Sequence, residues 1–372
     1  MSAYPGVIPR QLRAMPWRVL LLIVAIAMFG LTVLYSAAGG SWWPWAFGNG
    51  STFVVYLVIA LVMARMRVEF WRQIAWPGYA VVLIMLFFVE LFGFVGGGSQ
   101  RWLDLGFIRI QPSELMKLTI VLALAKFYDQ LPAGEIRGWH ALWPAGLAIV
   151  VPFGLVMTQP DLGTAIMIAA GGTVIVFLAG VPLRLFFAAG GAIAAALPVV
   201  WLMMHDYQRN RVLIFLNPES DPLGTGYHIT QSKIAIGSGG IFGKGFLQGT
   251  QSHLDYLPEG QTDFVFATMA EEWGLVGGIF IIGAFVLLFR WGMRVAARAP
   301  TRFGRLTAAG LTATIFFYVA INLMMVMGLA PVVGIPLPLV SFGGTAMLTV
   351  MLCFGILMSI ERDGRQQRGG FA

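Results

Sequence analysis

The chain is short of charge, cysteine and histidine. Only 11% of its 372 residues are Asp, Glu, Lys or Arg, less than half the share usual in soluble domains. The single cysteine, Cys353, lies inside an apolar run, which excludes an internal disulfide and a thiolate metal cluster. His205, His228 and His253 lack metal-ligand spacing and read as surface or loop histidines. Gly243-Lys244-Gly245 has neither the flanking glycine spacing of a P-loop nor a Ser/Thr after the lysine. No Gly-x-Ser-x-Gly elbow occurs. Internal repeats, low-complexity tracts, coiled coils and a second domain are also missing from the pattern. The run after Arg18 is span-length and lacks a small-residue cleavage pattern, so it is expected to be a first membrane span, not a cleaved signal.

What fills the chain instead is apolar sequence. Hydrophobic residues make up 58% of it, and mean hydropathy is +0.80. Runs long enough to cross a bilayer recur from end to end. The expected fold is an all-α polytopic membrane protein, a single transmembrane domain over 1–372. About ten spans are expected, near 17–39, 51–66, 74–95, 112–128, 140–158, 162–181, 184–204, 264–290, 306–330 and 342–360. Helices one to seven thus occupy 17–204, a large structured loop 205–262, and helices eight to ten 264–360.

The formal charge of +7 is segregated. Arg10, Arg13, Arg18, Arg65, Arg67, Arg72, Lys126, Arg137, Arg184, Arg290, Arg294, Arg298, Arg302, Arg305, Arg362, Arg365 and Arg368 fall in one set of segments. Only Arg101, Arg109, Arg209, Arg211, Lys233 and Lys244 fall in the other. By the positive-inside rule the first set is cytoplasmic, with both termini, and loop 205–262 is outside. The charge therefore reflects membrane topology and not a nucleic-acid partner.

Polar residues on the outward side carry the chemistry. Asp263 stands where a Gly/Pro-punctuated loop meets an apolar helix, with Thr262 as the expected N-cap. In a first turn its charge would be favoured and its pKa low, and burial under loop 205–262 would have to raise it again for a base. Ala267, Ala270 and Gly274 share its azimuth, leaving room for a neighbouring helix or a substrate. Glu114 and Lys117, three apart, share a helix face at membrane depth. They suit either a structural ion pair or a lysine that positions something near the outer mouth. Asp161, in the turn Thr158–Thr164, is either an N-cap or a site residue. Arg101, Arg209, Arg211, Lys233 and Lys244 make the outer face basic, which suits a phosphate or pyrophosphate as well as a solvated loop. Pro336–Thr345 breaks the path into the last span, a break tolerated where it is buried or lines a cavity. Tyr227–Ile236 has helical periodicity, and glycines at 237, 239, 240, 243 and 245 punctuate the next stretch.

Several of these stretches in order resemble the SEDS family (shape, elongation, division and sporulation) over nearly the whole chain. They are Arg101-Trp102, Gln111-Pro112-Ser113-Glu114, Gln159–Thr164, Asp221–His228, Gln231–Gly240, Leu257-Pro258-Glu259 with Thr262-Asp263-Phe264, and Pro338–Gly344. The Gly224–His228 and Gly237–Gly240 versions are most similar to the cell-elongation branch. The resemblance implies a ten-helix inner-membrane glycosyltransferase that polymerises lipid II, the lipid-linked disaccharide-peptide precursor of peptidoglycan, and releases polyprenyl pyrophosphate. It implies as partners a class B penicillin-binding protein with transpeptidase activity and other elongation-machinery membrane proteins. It also implies that Asp263 is the base and that Glu114 and Lys117 belong to the functional cavity.

The precursor's sugar is α-linked and the polymer β-1,4-linked, so one inverting displacement suffices. That needs a base at the acceptor hydroxyl and stabilisation of the departing pyrophosphate. The expected catalytic set is Asp263, Lys117 and Glu114. The expected substrate-binding set is Arg101, Gln111, Asp161, Arg209, Arg211, Lys233 and Ser341, which a divalent cation, Mg or Mn, could join. A flippase or transporter of the same precursor, lined by Glu114, Lys117 and Asp263, is the rival reading. A non-catalytic scaffold is the third, and it leaves the Asp263 cluster without a task.

Overall fold

Charge decides which helix takes the centre. The computed structural model describes residues 16–96, 99–104, 106, 109–132, 134–204, 206–217, 221, 224–254 and 256–369. Arg10, Arg13, His205, Pro222 and Leu223 lie outside them. In chain order the helices are α1 (Trp17–Ala37), α2 (Trp45–Met63), α3 (Val68–Phe92), α4 (Pro112–Gln130), α5 (Trp139–Thr158), α6 (Leu162–Ala179) and α7 (Leu183–Met203). Then come α8 (Asp206–Leu216), α9 (Thr225–Ser238), α10 (Thr250–His253), α11 (Val265–Arg298), α12 (Arg302–Val326) and α13 (Gly344–Gly369).

Among the described residues, eight of these helices are long and apolar enough to cross a membrane: α1, α2, α3, α5, α6, α11, α12 and most of α13. Two expected spans differ. The apolar part of α7 is the shorter Leu183–Val199. Helix α4 fails on composition because it carries Glu114, Lys117, Lys126 and Asp129. It resolves the conflict by packing against α3, α5, α6, α12 and α13, which bury most of its surface. A polar helix inside a bundle meets protein where an outer helix would meet lipid. The result is an all-α polytopic membrane protein, built in the expected order with boundaries shifted by up to nine residues.

Local chemistry sets several ends. Pro112 opens α4 at a position that needs no N–H. Asp161 caps α6, accepting from Thr164 N at 3.1 Å, and Gly180 ends it in the left-handed conformation. Close packing is set by small residues. A Cβ on Gly310 of α12 would lie 2.4 Å from Ile175 of α6, so a larger residue there would force the two helices apart.

Between α3 and α4 the chain forms short antiparallel strands: β1 (Phe94–Gly96), β2 (Ser99–Asp104) and β3 (Arg109–Ile110). Pairing of Leu103 with Ile110 places Arg101 just before α4. Segment 205–262, expected as one short helix plus turns, contains α8, α9 and α10. Helix α9 covers the expected Tyr227–Ile236 and packs along α11. The Pro336–Thr345 break is irregular as expected, and its first half is buried: Leu337, Leu339, Val340 and Ser341 are all nearly inaccessible. It passes so close to α1 that a Cβ on Gly30 would lie 2.7 Å from the Val340 Cα.

Candidate active site

Asp263 precedes its helix. Helix α11 begins at Val265 with Phe264 as the N-cap, and Thr262 turns its hydroxyl away to Glu259 Oε2 at 2.6 Å. The expectation of a first-turn Asp capped by Thr262 is therefore corrected. Glu259 adopts a left-handed conformation, φ 54°, and its carbonyl accepts from both Thr262 N and Phe264 N, making a tight turn. Phe264 is 1% exposed and pins the turn to the bundle. Since Asp263 lies outside the helix, the dipole does not hold its pKa down. Burial, with the charge of Glu259 added, raises it from 3.8 to about 6. Nearby His228, its ring 5.9 Å from that of Phe264, is pushed down by burial. A more neutral imidazole there does little to counter the rise at Asp263.

Two segments meet Asp263, and a third backs one of them. Asn322 of α12, fully buried, donates to the Asp263 carbonyl at 2.9 Å and to the Ile335 carbonyl at 2.8 Å. Gly334 is left-handed, φ 68°, and a Cβ on it would lie 3.4 Å from Asp263 Oδ2, so the carboxylate faces bare backbone. The start of α6 closes the other side of that strap: a Cβ on Gly163 would lie 2.9 Å from the Val333 carbonyl.

One turn along α12 from Asn322 lies Tyr318, fully buried. Lys117 Nζ donates to Glu114 Oε1 at 2.6 Å and to the Tyr318 hydroxyl at 2.9 Å, and Tyr318 donates to Glu114 Oε2. Lys117 is 1% and Glu114 7% exposed. Four residues of helix rise about 6 Å, so α12 carries this closed triad just below the clamp on Asp263.

The sequence-expected residues fall into distinct groups. Arg101, Gln111 and Asp161 come together: Gln111 Nε2 reaches Asp161 Oδ2 at 3.3 Å, and Arg101 Nη1 is 3.8 Å from the same oxygen. Arg101 also donates to the Gln159 carbonyl at 3.1 Å and to that of Pro160. This group abuts the 333–335 strap through the start of α6. Lys233 lies against Gly328 at the end of α12. Ser341 uses its hydroxyl within the turn, accepting from Leu337 N at 2.8 Å. Arg209 is apart, donating to the Trp201 and Leu202 carbonyls at the end of α7. The Arg211 side chain is outside the described residues. Among the described residues no three His, Cys, Asp or Glu side chains converge to hold a metal.

Sequence reasoning missed Tyr318, Asn322 and the buried pair Glu271–Glu272. The signal was present: a Tyr and an Asn spaced four apart in an otherwise apolar run mark one helix face with polar partners to satisfy.

Comparison with known proteins decides the family. The model of the FtsW/RodA/SpoVE family, described as "Cell cycle protein", matches residues 13–366. The chain belongs to this family. It is 46% identical over 346 residues to the peptidoglycan glycosyltransferase MrdB of Escherichia coli (strain K12), covering 92% of each chain. A chain from a structure described as "Structural coordination of polymerization and crosslinking by a peptidoglycan synthase complex" superposes with a TM-score of 0.82 at 31% identity, covering 95% of this chain and 99% of that one. The rod shape determining protein RodA of Thermus thermophilus superposes with a TM-score of 0.71 at 28% identity, covering 94% and 97%.

Proposed function

We propose that this chain is a peptidoglycan glycosyltransferase that extends β-1,4 glycan strands from lipid II with Asp263 as general base. Activity and family rest on the relatives just described. The role of Asp263 rests on one observation above the others: a carboxylate outside any helix, its backbone clamped by Asn322, its Oδ2 facing Gly334, and its pKa raised to about 6. A general base works best when its pKa lies near the operating pH.

In this reading Asp263 takes the proton from the acceptor 4-hydroxyl as that oxygen attacks the donor's anomeric carbon. The bond to polyprenyl pyrophosphate breaks on the opposite face, giving inversion. Pyrophosphate leaves readily, so no second acid is required, in contrast to glycosidases. Arg101, with Gln111 and Asp161 fixing it beside the 333–335 strap, and Lys233 near the end of α12 are the cations available to the leaving group. Glu114, Lys117 and Tyr318 keep α4 and α12 in register beneath the site. Asp263 and Glu259 together suit Mg or Mn, which one or two carboxylates bind with substrate phosphate oxygens; such an ion would neutralise the leaving group.

Arg294 and Arg298, at the end of α11 away from Asp263, line one surface with Arg365. This supports cytoplasmic termini and an active site on the outer face of the inner membrane. The partner is a class B penicillin-binding protein, consistent with the synthase complex to which this chain is similar. Other elongation-machinery membrane proteins would join at the same bundle. Polymerisation of purified precursor in detergent, without any transmembrane gradient, tests the function. Strand formation is expected; a protein that only moves precursor across vesicles contradicts it.

A further inference from the structure

Eight residues beyond Asp263 lies a pair of buried carboxylates that the glycosyl-transfer chemistry does not use. Glu271 and Glu272 sit just before a break in α11, where Gly274 has φ 61° and ψ −157°. The break removes two helical hydrogen bonds, and segment 240–245 replaces both. Leu275 N and Val276 N donate to the Gly240 and Ile241 carbonyls at 3.0 and 3.1 Å. The Glu271 and Glu272 carbonyls accept from Lys244 N and Gly245 N at 3.0 and 3.1 Å. Only glycine permits the fit, since a Cβ on Gly239 or Gly243 would lie 2.0 Å from the Ala270 or Glu272 carbonyl oxygen. These four backbone groups are thus paired by the splice alone. Two buried carboxylates add a desolvation cost that this pairing does not need.

Their side chains instead hold the next stretch of chain. Glu271 accepts from Lys244 Nζ at 2.6 Å, Thr250 N at 2.8 Å, Thr250 Oγ1 at 3.0 Å and Gln251 N at 2.9 Å, fixing the start of α10. Glu272 accepts from Ser36 of α1 at 2.5 Å and lies 3.3 Å from His253 Nε2. Glu271 is saturated, whereas Glu272 Oε2 and His253 Nε2 are buried without a hydrogen-bond partner. From His253 only ten residues lead to Asp263, with Leu257 buried and the Gly260 carbonyl bonded to Thr268 Oγ1 at 3.0 Å on the way.

We propose that Glu271 is a positioning residue for glycosyl transfer, anchoring segment 249–262 so that Asp263 is presented, enclosed, to the acceptor. Asn322 fixes Asp263 from below and Glu271 fixes the chain that arrives from above. Releasing the upper anchor leaves the site assembled but lets the turn at 259–263 open to water. A shift of about 1 Å in a reacting group can cost about 100-fold in rate.

The proposal rests on Asp263 as the base, and its test keeps the two separate. Glu271→Gln and Lys244→Met are purified with wild type, and folding is checked by thermal unfolding. Then kcat and KM for lipid II are measured from about pH 5 to about pH 8. Expected for Glu271→Gln are a kcat lowered by about 100-fold and a KM within about twofold. The acid limb near pH 6 should move to lower pH, because a more solvated Asp263 loses its burial-raised pKa. Lys244→Met, which leaves the backbone donors to Glu271 in place, should show the same changes at smaller size and covers the case in which Glu271→Gln does not fold. An acid limb present in wild type and unmoved in the folded variants overturns the anchor, whatever their kcat. A wild-type profile with no limb near pH 6 overturns the base assignment instead.

Discussion

Asn322 binds the backbone of Asp263 and never its carboxylate: one side-chain amide serves the carbonyls of Asp263 and Ile335 at 2.9 and 2.8 Å. The carboxylate is thereby left with acceptor capacity for a substrate proton while its Cα is immobilised. The same helix face, one turn earlier, uses Tyr318 to close the Glu114–Lys117 pair. Helix α12 is therefore the ruler that sets the site's depth.

Asn322→Ala strands two buried carbonyls. Loss of about 1–3 kcal/mol of stability is expected, and turnover should fall further than the stability loss explains. Thermal unfolding and polymerisation of the same preparation give both. Unchanged turnover would remove Asn322 from the positioning of Asp263.

Glu114→Gln leaves Lys117 charged and buried, at an expected cost of about 3–5 kcal/mol. Tyr318→Phe removes one hydroxyl and should cost about 1–3 kcal/mol. The exchange Glu114→Lys with Lys117→Glu keeps one charge of each sign. Recovery of folding together with polymerisation makes the triad structural. Recovery of folding alone assigns Lys117 a further role at the site.

Asp263 also carries a stability signature. Its folded pKa of about 6 lies above its ordinary 3.8, so its favourable contribution is complete below about pH 3.8 and is lost as pH rises through about 6. At neutral pH the ionised carboxylate opposes folding. Asp263→Asn should therefore raise stability by up to about 3 kcal/mol at neutral pH and leave it little changed near pH 4. A variant less stable than wild type at neutral pH contradicts this environment.

Membrane orientation is checked with cysteines at Gln248 and Thr301 in a Cys353→Ala background. An impermeant thiol reagent added outside should label position 248 and spare position 301. The reverse pattern overturns the assigned topology.

The fold is legible in the sequence wherever a local rule governs it. Hydrophobic runs place the long helices, Asp161 announces a cap, and the prolines at 336 and 338 announce a buried break. Two residue pairs show where that legibility ends. Glu114 and Lys117 are visible at i, i+3, but their third partner, Tyr318, lies on a helix two hundred residues away. Glu271 and Glu272 read as part of an apolar helix because nothing local reveals the break that segment 240–245 repairs. Asp263 stands out for its place at a loop-to-helix junction, yet its pKa is raised by burial and the charge of Glu259, neither of which the junction itself reveals. Whether that carboxylate meets a helix dipole or a dry turn is a tertiary fact.

The most direct measurement compares Asp263→Asn with wild type in lipid II polymerisation, each purified, folded and matched for precursor binding. The amide keeps the shape of the carboxylate and removes its capacity to take a proton. Turnover reduced by about 100- to 10,000-fold with binding retained is the expected result. A folded Asp263→Asn protein that polymerises at the wild-type rate would show that the proton goes elsewhere.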